Sequence, residues 1–273
     1  MSLMVILTLG IVFCIIPVLT APLSLFLMVL DRKVSKTLLV FFCLSISVIM
    51  FRYLTDGLDD SSYHYASIRS FATIDSFFDF FQRMMSHSLP IYRYDYSEYP
   101  LFGVFLYFVS KTKILSLSSA IVSFFTYFLL LLPVVDLYKK NIINKAVFLL
   151  TFLTIFFLNN YRYTTSGMRY CLTVAILFYL LYKDSQRGFK HDKFLLLYFI
   201  PYFIHPSALI YIVLRICFPI IKKSRLLVSL PIIFMFPIGI LILPQIASLT
   251  NLAIFDLMAE KVVSYTRPDA FIE

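Results

Sequence analysis

The residues of this chain able to do chemistry fall in three short stretches. GLDDSSYHYASIR carries Asp59, Asp60, Tyr63, His64 and Arg69; NNYRYTTSGMRY carries Arg162 and Arg169; FIPYFIHPSAL carries His205. Guanidinium groups bind phosphate oxygens in bidentate fashion, imidazole exchanges a proton near neutral pH, and a carboxylate can accept a hydroxyl proton. The set suits a membrane enzyme acting on a phosphate-bearing headgroup. Arg169 follows Gly167 at the start of an apolar run. There, the free N–H groups of a helix N-terminus and the guanidinium can grip a pyrophosphate together.

Each residue also has a plainer reading. Arg169 at a span end can snorkel to the interface, and Arg162 in an exposed stretch can simply be solvated. The His205 imidazole can satisfy carbonyls left unpaired by Pro206. Asp59 and Asp60 can be solvated loop carboxylates, although two at one mouth favour orienting an acceptor hydroxyl or a neighbouring arginine. The tyrosines of RYDYSEY, with Asp95 and Glu98, read as an interfacial girdle, with sugar stacking as the alternative. No HxxxH, HExxH or carboxylate pair on one helix face occurs, so neither a metal nor a cofactor is expected. Cys14, Cys43, Cys171 and Cys217 all lie inside apolar runs and read as packing residues.

The elements that must position these residues follow from composition. The chain has 273 residues, 60% of them hydrophobic and 14% charged, with a mean hydropathy of +0.88. A soluble surface cannot be built from this, and an all-α, polytopic integral membrane protein is expected, one transmembrane domain over 1–273 with about six to eight membrane helices. The net charge of +9 sits in short clusters between apolar runs, where topology explains it, so no nucleic-acid partner is implied. The apolar start, without a basic leader, is expected to stay as a first span from Leu3 to Leu30, kinked at Pro17 and Pro22. DRKVSK then marks the cytoplasmic side, and a second span runs from Thr37 to Leu54.

Residues 55–99 are thus expected to be an extracytoplasmic loop containing an amphipathic surface helix at SFFDFFQRMM. The apolar stretch near 100–110 is too short to cross about 30 Å of hydrocarbon and reads as interfacial or re-entrant. Spans follow over 114–135, 146–161 and 168–182. Residues 194–220, broken by Pro201 and Pro206, read as a re-entrant pair of half-helices with the break at IHPS, with a tilted single span as the competing reading. A last span over 226–249 leaves an external tail at 250–273. On this layout the candidate residues gather on the outer side.

GLDDSSYHYASI, SGMRYCLTVAILFYLLY and FIPYFIHPSALIYIVL resemble, in type and order, elements of the EpsG-like branch of the Wzy-type bacterial polysaccharide polymerases. The Asp-x-x-x-Tyr element of that family corresponds to Asp59 and Tyr63, its Arg-led helix to Arg169, and its Ile/Phe-His-x-Ser-Ala-Leu element to His205 with Ser207, Ala208 and Leu209. The resemblance implies a multi-pass glycosyltransferase of the bacterial inner membrane that joins undecaprenyl-pyrophosphate-linked repeat units on the outer face, for O-antigen, capsule or exopolysaccharide. Family chains continue with further spans, whereas this sequence ends in SYTRPDAFIE. No cofactor or metal is implied.

In that reading Arg169, helped by Arg162 or Arg69, stabilises the leaving pyrophosphate. His205 or Asp59 accepts the hydroxyl proton, and Tyr63 and Asp60 contact substrate. The implied partners are the lipid-linked oligosaccharide, the lipid bilayer, a flippase and a chain-length regulator. The competing readings are a flippase or transporter for lipid-linked sugars and a non-catalytic subunit of a polysaccharide assembly complex. Few charges at span centres and no inverted repeat of interrupted helices count against transport.

Overall fold

The computed structural model describes residues 3–51, 60–90, 94–159, 164, 167–190 and 192–222, and among these the regular structure is entirely helical. The chain divides into two compact units between Ile212 and Val213. In the first unit, helices α1 (Leu3–Ile15) and α2 (Pro17–Leu30) replace the single kinked span expected from sequence. Pro17 occupies the first turn of α2 and drives the preceding Ile16 out of the helical region, to φ −138° and ψ 78°. Pro22 stays inside α2 without ending it. The Asp31 side chain then accepts from the Lys33 N–H at 2.9 Å, which starts a 3₁₀ turn and makes DRKVSK a tight corner into α3 (Ser35–Phe51).

The polar stretch after α3 contains, besides the surface helix expected, a helix that was not expected, α4 (Asp60–Phe71). Ser61, His64, Tyr65, Ile68 and Phe71 recur at helical spacing and are buried. The inward face of α4 therefore carries hydroxyls and an imidazole, which hid its periodicity. α5 (Phe77–Met85) is the amphipathic helix expected. Ser76 caps it, Phe80 and Met84 are buried, and Phe78 and Met85 are exposed.

α6 (Pro100–Thr112) leads to α7 (Leu117–Lys139), whose 23 residues make it long and apolar enough to cross a membrane, by length and composition. α8 (Lys145–Leu158) is capped by Asn144, and α9 (Met168–Gln186) follows. The break expected near His205 is present. Two 3₁₀ segments, Lys193–Phe199 and Pro201–Phe203, precede a turn over 204–207 and then α10 (Ala208–Lys222), so the first half is wound tighter than an α-helix. The expected span over 226–249 and the tail lie outside the described residues.

Three apolar cores hold the first unit, the smallest gathering Leu177, Leu180, Tyr198, Ala208 and Ile212. One packs α1, α2, α3, α7 and α8 through Met28, Leu39, Phe42, Leu131, Phe148 and Phe152. Another packs α4, α5 and α6 through Ile68, Phe71, Phe80 and Leu106 against Val122 of α7 and Met168 of α9. Outside these cores α1 and α8 present large apolar side chains to the surroundings, among them Ile11, Ile15, Leu150 and Phe157.

At one end of the helices Asp136 of α7 joins three elements. It pairs with Lys36 of α3 at 2.5 Å and Lys183 of α9 at 4.0 Å, and accepts from the Tyr182 hydroxyl at 3.3 Å. Asp136 is 5% exposed. Replacing it by alanine leaves two lysines facing each other across a partly dry seam. Because Lys36 remains half exposed, the loss falls below the full buried-pair range, and about 1–3 kcal/mol is expected for Asp136→Ala. Thermal unfolding of the detergent-solubilised variant checks this; an unchanged midpoint would show the clasp to be inert.

Candidate functional site

The opposite ends of α7 and α9 carry the polar residues. Tyr65 of α4 donates to Ser119 of α7 at 2.7 Å, and Ser119 in turn donates to the Met168 sulfur at 3.8 Å, so three helices meet beside the first turn of α9. Arg169 follows directly and is only 6% exposed. Its guanidinium carbon lies 3.8 Å from the centre of the Tyr94 ring and 4.3 Å from that of Tyr99. Nη1 has no hydrogen-bond partner among the described residues. A buried N–H of a charged group without an acceptor is costly, and it marks a place where an anion would be favoured.

Each tyrosine also meets a histidine. The Tyr94 ring stacks on His64 at 5.1 Å and 26°, and the Tyr99 ring lies near-parallel to His205 at 6.4 Å and 19°. Tyr170 meets His205 edge-on at 5.7 Å. The result is a row, His64, Tyr94, Arg169, Tyr99, His205, in which a cation sits amid aromatic faces.

Hydrogen bonding sets the two imidazoles in opposite tautomers. Ser67 donates to the Tyr63 carbonyl and the Tyr96 hydroxyl donates to Ser67, so the contact at 2.8 Å between His64 Nδ1 and Tyr96 must be made by Nδ1–H. A neutral His64 then carries its lone pair on Nε2. At His205 the Ser207 backbone N–H donates to Nδ1 at 3.2 Å, and a backbone N–H can only donate. A neutral His205 therefore carries its proton on Nε2, as a donor.

The segment supplying Tyr94, Tyr96 and Tyr99 is tied down locally. His87, in the left-handed region at φ 54°, places Nδ1 2.5 Å from Asp95 Oδ2, and the Ser97 N–H donates to Asp95 Oδ1 at 2.9 Å. Partial burial pushes the Asp95 carboxyl upward, but the bonds from His87 and Ser97 outweigh it and hold the group below the usual carboxylate range. Gly103 of α6 closes the site from below. A Cβ there would lie 2.9 Å from both Tyr96 Cβ and the Met84 sulfur, so only glycine fits without moving Tyr96.

Of the residues singled out by sequence, Arg169 and His205 are brought together around Tyr99. Tyr63 is half-buried on α4, about 100° around the helix from His64. It is His64 that stacks on Tyr94. Arg69 is exposed, five residues beyond His64 and about 140° around from it, so it faces away from the row. Asp59, Arg162 and the side chain of Asp60 lie outside the described residues. Of the RYDYSEY tyrosines, Tyr94 and Tyr99 flank the arginine, while the Tyr96 hydroxyl meets His64 and Ser67. Among the described residues no group of His, Cys, Asp or Glu could hold a metal ion. No family model, curated protein or solved structure matches the chain.

Two outcomes follow from this geometry. Burial, and then Glu98 beside it, push the Tyr99 hydroxyl up to about 12, only partly offset by Arg169. Because the folded value lies above the ordinary value of 10, the stability from a protonated Tyr99 is complete below pH 10 and is lost as pH rises through about 12. Tyr99→Phe is expected to flatten that alkaline loss in a pH-dependent unfolding series, and a curve identical to the parent's would refute the burial of this hydroxyl. Gly103→Ala is expected to cost about 1–3 kcal/mol by overpacking and to perturb the His64 ring signals in NMR spectra of labelled protein. Unshifted histidine signals in a folded variant would disconnect Gly103 from the site.

Proposed function

We propose that the chain is a multi-pass glycosyltransferase of the bacterial inner membrane, with about six to eight membrane helices. In this reading it is a polymerase that joins undecaprenyl-pyrophosphate-linked repeat units on the outer face. The observation that carries the reading is the buried Arg169 guanidinium, with Nη1 lacking a partner among the described residues, set between tyrosine faces with an imidazole beyond each. Guanidinium suits a diphosphate, tyrosine faces suit sugar rings, and imidazoles suit the proton that must move.

Orientation and membrane placement rest on further support. Large apolar side chains exposed on α1 and α8 fit lipid better than water. Lys36, Lys139, Lys145 and Lys183 stand at the ends of α3, α7, α8 and α9 remote from Arg169. The positive-inside bias makes that end cytoplasmic and the Arg169 end external. The 3₁₀ segments and α10 then form the broken pair near 194–220, and α6 lies at the interface.

In the reaction, a hydroxyl of one lipid-linked repeat unit attacks the anomeric carbon of the glycan on the other. The new carbon–oxygen bond forms as the bond to pyrophosphate breaks, and its electron pair leaves on the pyrophosphate. Arg169 and the His205 Nε2–H donate to the charge developing there. The hydroxyl proton passes to the imidazole whose lone pair is on Nε2, which is His64. This assigns His205 as donor rather than base.

Arg169→Ala is expected to remain membrane-inserted, to reduce polymer by about 100-fold or more, and to accumulate single lipid-linked repeats. Gel separation of the glycan ladder reads this out. A normal ladder from Arg169→Ala and His205→Ala alike would sink the polymerase and leave a scaffold subunit.

A further inference from the structure

Thr173 of α9 is fully buried, and its hydroxyl has no hydrogen-bond partner among the described residues. A helical serine or threonine away from water ordinarily donates to the carbonyl four residues back, as Ser45 and Ser67 do here, each at 2.9 Å. For Thr173 that carbonyl belongs to Arg169, and the bond is not made. Arg169 Nη1, one turn earlier on the same helix, also lacks a partner among the described residues. Two buried donors left over at i and i+4 are each costly, and a single acceptor between them removes both costs.

The helix sets the direction in which Thr173 stands. Successive residues turn by about 100°, so Thr173 lies about 40° past Arg169 and about 60° short of Tyr170, one turn further along the axis. Arg169 touches Tyr99, Tyr170 meets His205 edge-on, and the Tyr99 and His205 rings are near-parallel. These four residues close a ring over the strip of α9 on which Thr173 comes next. Side chains on a helix lean toward its N-terminus, which tips the Thr173 hydroxyl up toward that ring. A guanidinium can only donate, so the partner Nη1 lacks is an acceptor, and with no carboxylate paired to Arg169 among the described residues an anion satisfies it better than water. We infer that Thr173 is a binding residue of this site, its hydroxyl and Arg169 Nη1 donating to one oxyanion. The anion then rests on the flank of α9, a turn inside the helix, and not at its N-terminal tip. The inference deepens the glycosyl-transfer reading above, on which it rests for the identity of the anion as a phosphate group, and adds to that site a neutral donor.

Thermal unfolding of the full chain in detergent micelles, titrated with inorganic pyrophosphate and separately with inorganic phosphate, tests this. Pyrophosphate is expected to raise the parent's midpoint saturably. Thr173→Val, which keeps the branched shape and removes the hydroxyl, should need about tenfold more pyrophosphate for the same shift, and Thr173→Ser no more than about twice the parent's. Thr20 of α2 is as buried and as unpartnered among the described residues, on a helix that supplies nothing to the site, so Thr20→Val should keep the parent's dose response. Without anion, Thr173→Val should leave the midpoint no lower than the parent's, because no bond is lost with the hydroxyl. An unchanged dose response in Thr173→Val would overturn the inference, as would equal weakening in Thr173→Ser or Thr20→Val. A parent that responds to neither anion would assign both donors to water and overturn it too, whereas phosphate acting in place of pyrophosphate supports the same cradle for a single phosphate group. The polymerase reading is judged apart from this: protection by pyrophosphate alongside a normal glycan ladder from Arg169→Ala in cells keeps the cradle and removes the reaction.

Discussion

One guanidinium taken out of water is the constraint around which this end of the protein is organised. Among the described residues no carboxylate forms an ion pair with Arg169, and a buried cation without one carries a desolvation cost of several kcal/mol. At Arg169 part of that cost is offset by two aromatic faces within about 4 Å, each worth on the order of 1–2 kcal/mol when dry. A carboxylate in the same place would hold the arginine better and would also occupy the position an anionic ligand needs. Tyrosine is the compromise, since its ring stabilises the charge while leaving the in-plane N–H groups able to donate.

The neighbouring polar groups follow from that choice. Tyr94 and Tyr99 can flank the arginine only if their backbone is held, and the Asp95 clasp with His87 and Ser97 holds it. Tyr96 points the other way, into the hydrogen-bonded chain that fixes the His64 tautomer. Alternate tyrosines of one short segment thus serve opposite tasks, Tyr94 and Tyr99 stacking on a cation and Tyr96 orienting an imidazole. The different tautomers of the two imidazoles come from local backbone and hydroxyl partners, so the two rings can play unlike parts.

Legibility in the sequence was uneven, for physical reasons. Apolar runs and basic clusters are strong signals, and α3, α7, α8 and α9 lie close to where they place them. Arg169 and His205 stood out because charge and imidazole are rare beside long apolar runs. α4 was hidden because its buried face carries Ser61, His64 and Ser67, which hydropathy scores as surface. Its period of three and four residues was present all along. The role of Tyr94 and Tyr99 could not be read at all, since it depends on a segment about 70 residues from Arg169 folding back onto it. Tyr63 of the Asp59–Tyr63 element lies on α4, one residue before His64.

The clasp around Asp136 gives α9 a fixed end, and Arg169 stands near the other. From Lys183 to Arg169 is fourteen residues, a lever of about 21 Å. A tilt of about five degrees about the clasp carries the guanidinium roughly 2 Å, and displacements of that size change rates by factors of about a hundred. A salt bridge at one end of the helix thereby becomes the fulcrum that decides how steadily a cation is held at the other.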